Sequence, residues 1–107
     1  MIEVRFYKDE TGKSPFAKWL DSLKDVNAQA AVVSRLDRLT LGNFGDCKYL
    51  LNGLYELRIK YGPGYRVYYT RKNDKLVIIL SGGHKGSQDR DIQKCLKILK
   101  KSIGDKT

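Results

Sequence analysis

Basic side chains alternate along two stretches of the chain that flank a Gly-Pro-Gly turn. Arg58 and Lys60 precede the turn, and Arg66 and Tyr68 follow it. Because alternate residues of a strand share a face, these side chains are expected on one face of a hairpin, together with Glu56. Guanidinium groups bind phosphate oxygens bidentately, and a tyrosine ring can stack on a base. The pattern therefore predicts a cationic sheet face suited to RNA.

The expected pairing across this turn sharpens the prediction. If the three residues of the Gly-Pro-Gly loop close the hairpin, Lys60 lies opposite Arg66 and Arg58 lies opposite Tyr68. Like charges in paired positions destabilise a sheet, so an anion bound between Lys60 and Arg66 explains them better than folding does. The alternative is that these cations form the solvated side of an antiparallel sheet, with Glu56 supplying an ion pair.

A glycine-rich segment, 81–88, follows an apolar run and leads into the last predicted helix. It carries the only histidine, His84, next to Lys85, and it ends at Gln88. Glycines let backbone amides approach an anion, so the segment resembles a phosphate-binding turn, although it lacks the Walker spacing. His84 can titrate near neutrality and could exchange a proton with a ribose hydroxyl; the alternative is an incidental surface histidine.

The elements that must position these residues predict an α+β fold in the order β-α-α-β-β-β-β-α. Period-two patterns predict strands near residues 2–7, 49–51, 54–61, 65–71 and 76–80. Helical periodicity predicts helices from Pro15, from Val26 to Leu41 and from near Ser87. Ser14 is placed to cap the first helix, and the first two helices are expected to form an antiparallel hairpin.

Length and composition narrow the class of protein. The 107 residues suit one domain, 1–107, in which residues 103–107 are expected to fray. A net charge of +9 favours polyanionic partners, with nucleic acid ahead of an anionic membrane. Cys47 and Cys95 are far apart and outside any CxxC motif, which predicts buried thiols and neither a metal site nor a disulfide. The N-terminus lacks the apolar core of a signal peptide, so a cytoplasmic location is expected.

Four segments together resemble the RelE/ParE toxin superfamily and, within it, the HigB-like addiction module killer proteins. The segments are FAKWLDSL (16–23), RLDRLTLGNFGDCK (35–48), LYELRIKYGPGYRVYY (54–69) and ILSGGHKGSQ (79–88). The resemblance covers nearly the whole chain. It implies a RelE-like fold, in which a twisted antiparallel sheet of four to five strands has a helical hairpin on one side and a C-terminal helix.

The same resemblance implies an mRNA endoribonuclease that acts on the ribosome and needs no metal or other cofactor. Its 2'-hydroxyl attack implies catalytic roles for Arg66 and Lys85 on transition-state charge, for Arg58 in positioning and for His84 in proton transfer. RNA-binding roles are expected for Lys48, Lys60, Tyr68 and Gln88. The general base stays open, because Asp91 stands where several RelE-like proteins carry a catalytic tyrosine or histidine.

The implied partners are mRNA, the ribosome and a cognate helix-turn-helix antitoxin of the HigA-like kind. Two other functions remain open at this point. A ParE-like protein would inhibit DNA gyrase by binding, without chemistry, and a non-toxic RNA-binding module would use the same cationic face as a platform. Charge alone does not separate these functions, and codon preference, oligomeric state and antitoxin docking are not readable from the sequence.

Overall fold

The computed structural model describes residues 1–102, so the expectation of fraying at 103–107 lies outside the described residues. The strands are β1 (Glu3–Phe6), β2 (Cys47–Leu51), β3 (Leu54–Ile59), β4 (Tyr65–Asn73) and β5 (Leu76–His84). The helices are α1 (Pro15–Ser22), α2 (Val26–Thr40) and α3 (Gln88–Ser102), with a short 3-10 turn at Lys85–Ser87. The α+β prediction and the element order are confirmed.

The five strands form a single mixed sheet in the order β1-β5-β4-β3-β2. β1 runs parallel to β5, and the other neighbours are antiparallel. Parallel pairing of β1 with β5 needs a long connection, which begins with the helical hairpin of α1 and α2. The hairpin and α3 lie on opposite faces of the sheet, so the sheet has a core on each side.

The ends of α1 and α2 follow from local capping. The Ser14 side chain accepts a hydrogen bond of 3.1 Å from the Ala17 amide, as the sequence predicts, and Pro15 opens the helix. Asp25 caps α2 in the same way through the Asn27 amide. The side-chain amide of Gln29 donates to the carbonyl oxygens at the end of α1, which ties the two helices into a hairpin.

The β3–β4 hairpin has a longer connection than the sequence suggests. The pairing of Lys60 with Arg66 is wrong by two positions, because Arg58 faces Arg66 and Ile59 faces Tyr65. The connection spans residues 60–64, so Tyr61 lies outside the strand. The Tyr61 hydroxyl donates a hydrogen bond of 2.8 Å to the Asp25 carboxylate. A shift of two residues keeps every side chain on its expected face.

The face opposite the helical hairpin is not wholly cationic and open. Its second core is covered by α3, and the sheet end that carries Arg58 and Arg66 is left partly exposed. Cys95 belongs to this core, as expected, whereas Cys47 at the start of β2 is exposed, which corrects its prediction as a buried thiol. The buried side chains of this second core are Leu54, Tyr68, Leu80, Cys95 and Leu99.

The prediction of a phosphate-binding turn is wrong for Gly82 and Gly83, because both glycines lie inside β5. Gly82 and Gly83 pair with Val67 and Arg66 of β4, so they are part of the sheet. A Cβ at Gly82 would lie 2.2 Å from the Trp19 ring, and one at Gly83 would lie 1.9 Å from the Asp91 carboxylate. Close packing of helices on both faces of β5 therefore explains these glycines.

Gly82→Ala is expected to destabilise the fold by about 1–3 kcal/mol, because its methyl group must displace the Trp19 ring from a packed position. The measurement is the free energy of unfolding in urea. Lys75→Ala, at an exposed turn position, is the control and should leave the midpoint unchanged. Equal midpoints for the wild type and Gly82→Ala would contradict the packing argument.

Candidate active site

A buried carboxylate organises the cationic end of the sheet. Glu56 of β3 is 0 % exposed, and its Oε1 lies 2.9 Å from the Arg58 Nε. Its Oε2 lies 3.8 Å from the Arg66 Nε and accepts a hydrogen bond of 2.6 Å from the Gln88 side chain at the start of α3. The side chains of Arg58 and Arg66 are 35 % and 15 % exposed, so both remain reachable from solvent.

The counter-charge of the paired cations is the Glu56 carboxylate, which is the ion pair of the alternative interpretation and not a bound anion between Lys60 and Arg66. Arg58 and Arg66 are direct cross-strand neighbours, and Glu56 neutralises one of their two charges. The hydrogen bond that Arg58 donates to Glu56 raises the pKa of Arg58 above its ordinary value. One net positive charge remains at the cluster, and it lies where an external phosphate can approach the guanidinium groups.

Tyr68 lies beneath α3 and not beside the arginines. It is 0 % exposed, and its hydroxyl has no hydrogen-bond partner among the described residues. Burial, followed by the nearby Glu56 and Asp91 carboxylates, raises the pKa of Tyr68. The ring fills the second core beneath α3, so it has no exposed face on which an RNA base could stack.

Lys85 lies at the same end of the sheet as the two arginines. Its amide donates to the Gly64 carbonyl over 2.9 Å, and it comes two residues after Gly83, the partner of Arg66 in β5. This places the backbone of Lys85 beside the β3–β4 connection, with its side chain exposed. The structure therefore brings Arg58, Arg66 and the start of the 3-10 turn together.

His84 is not grouped with the arginines. It pairs with Tyr65, whose ring packs on Trp19 at the helical-hairpin face, so the sheet register assigns His84 to the side opposite Arg66. Its Nδ1 accepts a hydrogen bond of 3.0 Å from the Gly86 amide and so caps the 3-10 turn. This contact gives the histidine a structural role in the turn that leads to α3.

The remaining predicted RNA contacts have different environments. Lys48 of β2 lies opposite Glu56 and is exposed, and Lys60 is exposed just beyond the end of β3. Both lie near the arginine pair and could meet an RNA backbone. Gln88, in contrast, is half-buried and holds the Glu56 carboxylate, so it supports the cluster from within.

Sequence reasoning misses the contribution of Arg35 in α2. One of its guanidinium nitrogens donates to the Arg58 carbonyl, and another donates to the Phe44 carbonyl over 3.0 Å. These bonds tie β3 and the segment before β2 to α2, and burial lowers the pKa of Arg35. A basic residue on a predicted helix gives no signal that it reaches a strand carbonyl so far along the chain.

The arrangement of charged groups suits binding and stabilisation of a phosphate. Two guanidinium groups and a nearby lysine can contact non-bridging oxygens and offset charge that develops at phosphorus. Within residues 1–102, no group of three or more His, Cys, Asp or Glu side chains is arranged to hold a metal ion. Among the helices of these residues, none has the length and apolar character needed to cross a membrane.

Comparison with known proteins identifies the family. Residues 18–102, which include the arginine cluster and all of α3, match the family described as "Phage derived protein Gp49-like (DUF891)". The chain belongs to this Gp49-like family. The Gp49-like proteins are RelE-like and toxin-like, which agrees with the coarser part of the sequence resemblance. An uncharacterized protein of Haemophilus influenzae is 47% identical over 89 residues, which cover 83% of this chain and 89% of the relative.

Proposed function

We propose that this Gp49-like protein is the toxin of a type II toxin-antitoxin pair and that it cuts mRNA on the ribosome. The observation that carries the proposal is the Arg58–Arg66 pair, which is held by a buried Glu56 at an exposed end of the sheet. Membership of a RelE-like toxin family supports the toxin assignment, and the net charge of +9 supports an RNA partner. The finer HigB-like assignment is part of the same proposal.

The proposed reaction transfers the phosphoryl group within the mRNA strand. The ribose 2'-hydroxyl loses its proton as its oxygen attacks the adjacent phosphorus in line. The bond from phosphorus to the 5'-oxygen breaks, the 5'-oxygen takes up a proton, and a 2',3'-cyclic phosphate and a 5'-hydroxyl end form. Arg66 and Lys85 stabilise charge on the non-bridging oxygens, and Arg58 positions the phosphate or the 2'-hydroxyl. Lys48 and Lys60 contact the flanking backbone. Glu56 orients the Arg58 guanidinium through a hydrogen bond and lies within ion-pair distance of Arg66.

His84 was assigned to proton transfer by resemblance, and its placement on the other side of the sheet leads to a quantitative expectation. A general acid or base contributes about 10²- to 10⁴-fold to a rate. We expect His84→Gln to reduce cleavage by less than about tenfold, because the Gln side chain can still accept from the turn amide and the arginine pair is untouched. The measurement is the cleavage rate on programmed ribosomes, and a loss of 10²-fold or more would restore His84 to a catalytic role.

To test this function, purified protein is added to a cell-free translation reaction. The ends of the mRNA are then mapped with and without ribosomes. Cuts inside translated codons that require the ribosome support the proposal. Intact mRNA together with altered supercoiling of plasmid in a gyrase reaction would contradict it and favour a ParE-like role. RNA binding without either effect would favour a non-toxic binding module.

The proposed pair also includes an antitoxin, which we expect to be a helix-turn-helix protein encoded beside this chain. Such a partner should block access to the Arg58–Arg66 cluster or distort it. Co-expression of the adjacent reading frame should therefore restore growth to cells that are arrested by this protein. A neighbouring frame that encodes no such protein would count against the pair.

A further inference from the structure

A cationic cleft, separate from the arginine cluster, lies between α1 and α3 beside β5. It has a volume of about 410 Å³, and its walls come from both helices and from the second half of β5. The lining residues that can contact a ligand include Lys18, Trp19, Ser81, Arg90, Asp91 and Lys94. β1 pairs with β5 only as far as Ile79, so this part of β5 has no strand on that side among the described residues.

Trp19 gives this cleft a fixed aromatic surface. The only tryptophan of the chain is half-buried, and its ring rests on Gly82, where even a methyl group would collide with it. Tyr65 contacts the ring in a T-shaped arrangement with centroids 5.9 Å apart, and Phe16 lies 5.8 Å away on α1. A ring that is held by neighbours and open to a cleft is a ready surface for stacking a nucleobase.

The charges around Trp19 suit a phosphate. Lys18 projects from α1 and Arg90 and Lys94 project from α3, so cations line both walls, and all three residues are exposed. The cleft contains one carboxylate, that of Asp91, which accepts a hydrogen bond from the Ser87 hydroxyl. Its acceptor oxygens can also receive the ring and amino N–H groups of a base such as guanine.

The cleft adjoins the arginine cluster. The Asp91 carboxylate lies over Gly83, which is the β5 partner of Arg66. Gly83 follows the cleft residue Gly82 in β5, and paired Cα atoms of antiparallel strands are only about 5 Å apart, so the arginine cluster and the cleft are neighbours along β5. Trp19 packs on the helical-hairpin face of β5 and Arg66 lies on the opposite face, so a strand of RNA with a phosphate at Arg66 must pass round the unpaired edge of β5 to reach Trp19.

We propose that this cleft is a nucleotide-binding subsite, in which a base stacks on Trp19 and a phosphate contacts Lys18, Arg90 and Lys94. The subsite rests on the proposed ribonuclease function and would hold a nucleotide of the message that has passed round the edge of β5. It would select the position of the message within the site by stacking, while the arginine cluster acts on the phosphate that is cut.

Trp19 itself reports on the proposed binding, because no other tryptophan contributes to the fluorescence. The probe is guanosine 5'-monophosphate, with ribose 5-phosphate as the comparison that lacks a base, and excitation is at a wavelength where the nucleotide does not absorb. We expect saturable quenching by the nucleotide and little response to ribose 5-phosphate. Linear, unsaturable quenching by the nucleotide would overturn the proposal.

Two substitutions in α3 test the phosphate contacts. Arg90→Ala and Lys94→Ala should each weaken nucleotide binding by about fivefold to tenfold, as expected for loss of a charge-assisted contact. Lys100→Ala is the matched control, because this lysine lies on the same helix but lines a different cleft. Unchanged affinity in both cleft variants, or equal loss in the control, would overturn the proposal, as would binding of polyglutamate in place of the nucleotide.

Cleavage assays separate this inference from the function on which it rests. If the wild type cuts mRNA and the Arg90→Ala/Lys94→Ala variant cuts it equally fast at the same positions, the subsite is wrong and the ribonuclease stands. If the wild type binds the nucleotide saturably but cuts no mRNA, the ribonuclease is wrong and the cleft stands as a nucleotide site. Loss of both binding and cleavage in the double variant, with an unchanged circular dichroism spectrum, supports both.

Discussion

Arg66→Ala should reduce mRNA cleavage on the ribosome by about 10²- to 10³-fold, the usual effect of removing one group that stabilises developing charge. Arg66 lies beside Glu56 at the exposed end of the sheet, with 15 % of its side chain exposed, so its guanidinium can meet a phosphate without moving from the cluster. The measurement is the single-turnover rate of cleavage on programmed ribosomes. A rate within threefold of the wild type would remove Arg66 from the reaction.

Two companion variants make this result interpretable. Arg66→Lys keeps the charge but cannot bind a phosphate bidentately, so its rate should fall between those of the wild type and Arg66→Ala. Lys72→Ala removes an exposed cation from the same strand and should leave cleavage nearly unchanged. Glu56 keeps its contacts with Arg58 and Gln88 in Arg66→Ala, so the variant should remain folded.

Glu56→Ala should destabilise the fold by about 3 kcal/mol, the lower end of the cost of removing one partner from a buried ion pair. The substitution leaves Arg66 and the Gln88 amide without the carboxylate that both contact, and Arg58 loses its hydrogen bond. The partial exposure of Arg58 and Arg66 favours the lower end, because solvent can reach both groups. Urea unfolding of the wild type and the variant measures this difference.

A second variant at the same position separates charge from packing. Glu56→Gln keeps the size of the side chain and an acceptor oxygen, so it should lose less stability than Glu56→Ala while raising the net charge by one. Binding of single-stranded RNA should then become tighter, because both guanidinium groups lose their internal counter-charge. Weaker RNA binding in a folded Glu56→Gln protein would show that Glu56 does not neutralise the site.

Much of the fold was readable because local patterns and burial agree. The Ser14 cap, the extent of α2 and the alternation of β3 and β4 each reflect one dominant local preference, and each is confirmed. The register of the hairpin is not readable from the sequence, because the Gly-Pro-Gly motif does not show that Lys60 and Tyr61 belong to the connection, where the Tyr61 hydroxyl bonds to the distant Asp25. The assignment of the side chains to the two faces of the hairpin is nevertheless confirmed, because a shift of two residues preserves the alternation.

The site was readable as a set of charges but not as a geometry. Alternation placed Arg58 and Arg66 on one face, but it could not show that Glu56 lies buried between them or that Gln88 holds it from α3. Tyr68 has the same parity as the arginines, and only the path of α3 decides that it is covered. The glycines of β5 resemble an anion site in the sequence, because neither the packing of Trp19 on Gly82 nor that of Asp91 on Gly83 can be read from the local pattern.

The most direct test of the account is a cryo-electron microscopy structure of this protein on a ribosome with mRNA in its decoding site. The message would carry a 2'-O-methyl group at each nucleotide of the codon that is cut, so that attack is blocked. We expect the phosphate at the blocked cleavage position to lie within hydrogen-bond distance of the Arg58 and Arg66 guanidinium groups. A bound message whose phosphates lie away from both arginines would contradict it.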